Sequence, residues 1–241
     1  MPDAIFAHHR LASIYDAFGG DRYDLTAYLD IADELSADRV LDIGCGTGCL
    51  AILLAESGRT VVGVDPAEAS LEVAKSKNGA ARITWLHGDA TAMPPIDADL
   101  AVMTGNVAQV FLTDADWIQT LQGIRSALRP GGHLVFETRR PERRAWEEWA
   151  DEPPTTVDVP GAGLVEQQLH VTAIRLPFVS FRHTYTFLTD GMVITSHSTL
   201  RFRSRDEVES NLTAHGYLVQ DVREAPDRPG REFVFIAMRA A

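Results

Sequence analysis

Val40-Leu-Asp-Ile-Gly-Cys-Gly-Thr-Gly48 is a short apolar run that passes directly into a glycine loop. Arg39 to Ile43 has the length and composition of a buried strand, and Leu50 to Ser57 reads as a helix stopped by Gly58. Strand, glycine loop and helix in that order open a parallel α/β unit. Glycine is required there because the turn is tight and because a side chain would hold a ligand off the backbone. The helix that starts near Thr47 offers unpaired N–H groups to a polar ligand.

Working outward, the alternation continues. Thr60 to Asp65 is the next strand, Ala67 to Lys77 a helix ended at Asn78-Gly79, and Ile83 to Leu86 and Leu100 to Met103 two further strands. Met93-Pro-Pro-Ile96 is loop, since proline cannot join a central ladder. Trp117 to Leu128 is an amphipathic helix closed by Arg129-Pro-Gly-Gly132, and Leu134 to Thr138 is the fifth strand. The N-terminal stretch is helical by spacing: Ile5, Leu11, Ile14 and Tyr15, then Leu25, Tyr28, Leu29 and Ala32, broken at Phe18-Gly-Gly20.

Past residue 150 the pattern changes to long strands, Leu164 to Ile174, Val179 to Leu188 and Val193 to Phe202, with Thr189-Asp-Gly191 as a hairpin turn. A helix from Arg205 to His215 and strands Tyr217 to Val222 and Glu232 to Met238 end the chain. The expected division is a helical cap (1–37), an α/β core (38–150), an antiparallel β insertion serving as lid or dimer surface (151–203), and the last helix and two strands of the core (204–241).

Bulk properties narrow the function class. A formal charge of −12 repels phosphate backbones and anionic membranes, so neither nucleic acid nor a membrane is the expected partner. No stretch has the length of a bilayer span, and a cytoplasmic monomer or homodimer is the expectation. The two cysteines, Cys45 and Cys49, both lie at the glycine loop, which fits a reducing compartment and leaves no metal or cluster ligand set.

The loop alone allows several nucleoside ligands. Asp65 closes the second strand about twenty residues after Gly44, where an acid accepts hydrogen bonds from ribose hydroxyls. A nicotinamide dinucleotide site wants glycine or alanine three residues after the second glycine; Cys49 stands there instead. Asp42, two residues before the loop, would repel a pyrophosphate and attract a ligand carrying ammonium or sulfonium charge.

These motifs resemble those of the class I S-adenosylmethionine-dependent methyltransferases. Val40 to Gly48 resembles that family's first motif, Val61-Val-Gly-Val-Asp-Pro66 its ribose-binding strand, and His87-Gly-Asp-Ala90 its third-strand motif. Ala98 to Phe111 matches the fourth strand and its exit, and Leu128-Arg-Pro-Gly-Gly132 precedes the fifth. The resemblance is strong over about residues 38 to 139. It implies a Rossmann-like, mostly parallel seven-stranded sheet with an antiparallel last strand, Glu232 to Met238. It also implies S-adenosylmethionine as donor and S-adenosylhomocysteine as product. By the same likeness the cofactor residues are Tyr15, Asp42, Gly44, Cys45, Gly46, Gly48, Asp65, Pro66, Asp89, Ala90, Thr104 and Asn106. Asp89 reads the adenine amino group, and Tyr15 is either a lid over the donor or a core aromatic.

The acceptor is less legible. Thr104-Gly-Asn106 lacks the Asn/Asp-Pro-Pro-aromatic motif of enzymes that methylate DNA bases, which with the acidic charge points to transfer to N or O of a small metabolite. Arg139, ending strand five, could hold a substrate carboxylate or phosphate. In Val179 to Phe187, period two places Val179, Phe181, His183, Tyr185 and Phe187 on one face. His183 is the general-base candidate among them, with Tyr185 and Arg139 as further acceptor-side candidates. Two rival readings remain: a protein that binds the same cofactor for other chemistry, and a nicotinamide oxidoreductase.

Overall fold

The computed structural model describes residues 2–20, 22–93 and 96–240; Pro94 and Pro95, assigned above to a loop, lie outside them. Three short helices, α1 (Ala4–Ala7), α2 (His9–Ala12) and α3 (Tyr15–Phe18), precede α4 (Thr26–Glu34). The core then runs β1 (Arg39–Ile43), α5 (Cys49–Glu56), β2 (Thr60–Asp65), α6 (Glu68–Ser76), β3 (Ile83–His87), β4 (Ala98–Met103), α7 (Asp114–Ala127) and β5 (Leu128–Arg139). After α8 (Ala145–Ala150) come β6 (Thr155–Val159), β7 (Gly163–Arg175), β8 (Phe178–Phe187) and β9 (Val193–Arg201). The chain ends in α9 (Arg205–Ala214), β10 (Tyr217–Glu224) and β11 (Glu232–Arg239).

The main sheet has seven strands in the order β10-β11-β5-β4-β1-β2-β3. The pairs β1–β2, β1–β4, β2–β3 and β4–β5 are parallel, and β11 runs antiparallel to both β5 and β10. This is the sheet expected from the resemblance, and its order reverses between β1 and β4, so the carboxyl ends of those strands flank the crevice. Successive residues of β5 feed opposite layers. Phe136 stacks on Phe235 with centroids 5.2 Å apart and meets Trp117 of α7 edge-on, while Val135 packs with Tyr28, Leu50 and Leu54 on the α4–α5 side. Burial of large side chains on both faces supplies most of the sheet's stability.

The second sheet is antiparallel, in the order β6-β7-β8-β9. Its buried face carries Val179, Phe181, Tyr185 and Phe187, as the period-two reading expected. One end packs on α8 through Trp146, Val179 and Phe202. The other packs on the N-terminal helices through Ile5, Leu11, Ile14, Val165, Tyr185 and Phe187. Those helices also touch α6, where the Ser70 hydroxyl donates to the Phe6 carbonyl at 3.0 Å. They are thus held between the two sheets.

Several elements differ from the sequence expectation. α7 begins at Asp114 because Thr113 caps it, accepting from the Asp116 N–H at 3.1 Å, with Asp114 and Asp116 at the positive helix end. β5 begins at Leu128, so Arg129-Pro-Gly-Gly132 lies inside a strand, tolerated by a register shift opposite Ala98 and Leu100. α8 and β6 were not anticipated: α8 is too short for its periodicity to register, and β6 is an exposed edge strand without apolar alternation.

Gly123 fixes the depth of α7. A Cβ there would stand 1.8 Å from the Ala90 carbonyl oxygen, so only glycine lets the helix reach the 3₁₀ turn after β3. Gly123→Ala should therefore cost roughly 1–3 kcal/mol. This is a fall in Tm of about 2–4 °C per kcal/mol for a chain of this size, read by thermal denaturation.

Candidate active site

The glycine loop is held from behind by the neighbouring strand. The N–H groups of Gly44 and Cys45 donate to the Val64 carbonyl at 2.8 and 3.2 Å. Gly46 has φ +54°, and a Cβ built on it would meet nothing within 4 Å, so the loop's outer surface is open to a ligand. Gly48 has φ +79° for the opposite reason: its missing side chain makes room for the Trp85 ring, 2.6 Å from where a Cβ would be. One glycine serves approach from outside, the other packing from within.

Asp65 is buried at the end of β2 and joins two turns. Its Oδ2 accepts from the Gly46 N–H at 2.8 Å and its Oδ1 from the Ala67 N–H at 2.7 Å. Each oxygen keeps a second lone pair for a hydroxyl donor. Pro66 follows it, its carbonyl 3.1 Å from the His87 ring. Asp42 is the penultimate residue of β1, 1% exposed, and its Oδ2 has no partner. Burial, and then the charge of Asp65, push its carboxyl up to about 7. Asp65 is likewise raised, chiefly by burial. Two crowded carboxylates make an unfavourable place for phosphates and a favourable one for a cation.

The N-terminal segment covers this loop. Asp16 on α3 accepts from the Thr47 hydroxyl at 2.5 Å and pairs with Lys77 at 2.5 Å. Tyr15 is therefore delivered to the loop, its ring 5.5 Å from Phe6. Its hydroxyl acidity is weakened by burial, with Arg22 and Arg139 close enough to act against that. Asp89 is exposed and caps the turn Ala90–Ala92, accepting from the Thr91 N–H at 2.8 Å. Ala90 is buried against α7.

After β4, Thr104 leads into a loop fixed by a carboxylate that the sequence did not single out. Glu137 of β5 accepts from the N–H groups of Gly105 and Asn106 at 2.8 and 3.2 Å, and from the Tyr28 hydroxyl at 2.5 Å. Asn106, with φ +62°, turns its amide inward and donates to Glu232 Oε1 at 3.0 Å. Arg228 donates to the same oxygen at 3.0 Å. Burial and the nearby Glu232 charge raise the Glu137 carboxyl above its ordinary range. Glu137 is 109 residues from Tyr28 and about thirty from Gly105 and Asn106, and Asn106 is 126 from Glu232, so spacing gave no sign of the network. The one local sign was a glutamate at the end of an otherwise apolar strand.

Arg139 donates to the Gln109 side chain at 3.0 Å and lies 5.2 Å from the Trp149 ring. His183 stands between Phe181 and Tyr185, with centroids 5.4 and 6.0 Å away. Burial lowers its pKa to about 4 and its Nδ1 has no partner. It is neutral at physiological pH, but far weaker as a base than the sequence expectation required. Tyr185 accepts from the Gln167 amide at 2.9 Å, and burial raises its pKa.

Comparison with known proteins bears on this edge of the sheet. The profile of a family described as "Methyltransferase domain" matches residues 40–132. An uncharacterized methyltransferase of Oceanobacillus iheyensis is 36% identical over 103 residues, 43% of this chain and 47% of that protein. Residues 40–132 are thus similar to a methyltransferase domain.

A solved S-adenosylmethionine-dependent methyltransferase from Clostridium acetobutylicum superposes with a TM-score of 0.77 at 15% identity, covering 97% of this chain and 99% of that one. The sugar N-methyltransferase KedS8 from Streptoalloteichus sp ATCC 53650 gives 0.77 at 19% identity, covering 95% and 92%. This chain spans about half the length of the curated relatives it matches first. S-adenosylmethionine is the ligand that a class I methyltransferase loop must accommodate, and the residues here fit it. Gly46 leaves a cradle open, and the partnerless Asp42 carboxyl suits a cationic ligand.

Asp42 gives the ligand-free protein a specific pH response. Its pKa is about 7 in the fold and near ~3.9 when unfolded. Between those values the folded state holds a proton that the unfolded state has lost, so stability falls as pH rises from about 4 to about 7 and is level above. The loss is on the order of a few kcal/mol. Asp42→Asn should flatten this decline and melt above the wild type at pH 8, measured by thermal denaturation without ligand.

Proposed function

We propose that this chain binds S-adenosylmethionine at the 44–48 loop and transfers its methyl group to a nitrogen or oxygen of a small molecule. The observation that carries the reading is the pairing of an open glycine cradle at Gly46 with two buried, crowded carboxylates, Asp42 and Asp65. That charge pattern suits a ligand with ammonium and sulfonium groups and disfavours a dinucleotide pyrophosphate.

When bound, S-adenosylmethionine supplies a methyl group already activated by the sulfonium. The chain's own work is therefore alignment and exclusion of water. Asp65 accepts from the ribose hydroxyls while holding Gly46 and Ala67, and Asp89 accepts from the adenine amino group. Asp42 faces the methionine ammonium, and binding of that cation favours its charged form. Tyr15, latched through Asp16, shuts the donor side from solvent. The second sheet (within 151–203) roofs the acceptor side with Phe181, His183 and Tyr185. Neutral His183 accepts a hydrogen bond from the nucleophile and holds its lone pair in line. With a pKa of about 4 it does not deprotonate an alcohol at useful rates, which favours a neutral amine or an already acidic hydroxyl as acceptor.

Titration calorimetry should show S-adenosylmethionine and S-adenosylhomocysteine binding, and no NADH binding; the reverse pattern would overturn the reading. Asp65→Ala removes charge-assisted bonds of roughly 1.5–3 kcal/mol. It should weaken donor affinity by about tenfold to a hundredfold, and an unchanged affinity would sink the ribose assignment.

A further inference from the structure

Helix α4 and the turn that joins β10 to β11 do not close on each other. Between them lies a cavity of about 190 Å³, lined by no residue of the glycine loop. Ala27, Tyr28 and Ile31 of α4 line it together with Ala225 and Val234, and all but Ala27 are buried, so its floor is apolar. An apolar cavity of about 150 Å³ is enough to hold benzene. This one has room for a single ring, and a ring placed there leaves water.

The cavity is preformed. Tyr28 is pinned by its hydroxyl, which donates to Glu137 at 2.5 Å. Glu224 accepts from Arg140 at 3.0 Å and from the Gly230 N–H at 3.1 Å, and Arg223 grips Glu34 with two bonds of 2.7 and 2.6 Å. Binding therefore orders little that is not already fixed.

The lining also sets the charge of the occupant. It holds six carboxylates and one guanidinium, that of Arg223. Four of the acids are met by arginines: Asp24 by Arg22 at 2.9 Å, Glu34 by Arg223, Glu224 by Arg140, and Asp227 by Arg228 at 2.8 Å. Glu137 is buried and already accepts from Tyr28, Gly105 and Asn106. Asp30 is exposed and has no ion-pair partner among the described residues. An anion is repelled by such a lining, in a chain that carries a net charge of −12. A neutral ring gains burial alone. A ring that carries a cation gains burial and a partner in Asp30.

We propose that the cavity between α4 and the β10–β11 turn is a ligand site in its own right. Its ligand is a small organic ammonium compound with an apolar body about one ring in size, the ammonium paired with Asp30. The site goes beyond the methyl-transfer reading and does not depend on it.

The probes are benzylammonium, its neutral counterpart benzyl alcohol and its anionic counterpart benzoate, titrated at low salt into the full chain with methyl-labelled isoleucine and valine. Benzylammonium should shift the Ile31 and Val234 methyl resonances saturably. It should bind about twofold to fivefold more tightly than benzyl alcohol, the range of a partly exposed ion pair. Benzoate should bind more weakly than both. Asp30→Asn should bring benzylammonium and benzyl alcohol to parity. Ala27→Phe, which puts a ring into the cavity, should abolish binding of both, with the fold checked by circular dichroism. Unmoved Ile31 and Val234 methyls in the wild type, or equal affinity for ammonium and alcohol, overturn the proposal without any variant having to fold. An unchanged preference in a folded Asp30→Asn, or full binding to a folded Ala27→Phe, does so too.

Discussion

Backbone N–H groups that leave a strand at the carboxyl edge of a parallel sheet lose their ladder partners, and each one buried without a substitute is costly. Here two buried carboxylates take up those at the crevice. Asp65 receives the N–H groups of Gly46 and Ala67, and Glu137 those of Gly105 and Asn106. The first pair fixes the glycine loop, and the second fixes the turn after β4. The crevice between β1 and β4 has its shape because both walls are tied down by charge-assisted hydrogen bonds.

Carboxylates used in this way bring their own cost. Asp42 and Asp65 crowd one side of the crevice, and Glu137 and Glu232 the other. The two sides are balanced differently. Around Glu137 and Glu232 the chain supplies its own donors and cations, from Tyr28, Asn106, Arg228 and Arg139. Around Asp42 it supplies too little, and one oxygen is left without a partner. A structural acid is satisfied from within, while an acid left short favours its protonated form unless a cation is brought to it.

The N-terminal helices and the second sheet pack as one unit. Ile5, Leu11 and Ile14 pack under Val165 and Phe187, and Asp16 reaches across to Thr47 and Lys77. The glycine loop and the second sheet therefore share one packed segment. A change in the hydrophobic contacts of α1–α3 is felt at Tyr15 without any residue of the loop being touched.

The sequence by itself determined the donor half of this protein. Strand, loop and helix are local, and the constraints of the glycine turn, the acid beside it and the acid ending the next strand are written within about fifty consecutive residues. Periodicity likewise placed Phe181, His183 and Tyr185 on one face of β8. Only the tertiary structure decided what lies across from that face, that burial would strip His183 of its basicity, and that Asn106 would turn inward. The network of Glu137, Glu232, Tyr28 and Arg228 was equally out of reach. Those outcomes depend on desolvation and on partners brought together by sheet order from distant parts of the chain, and neither leaves a period or a spacing to read.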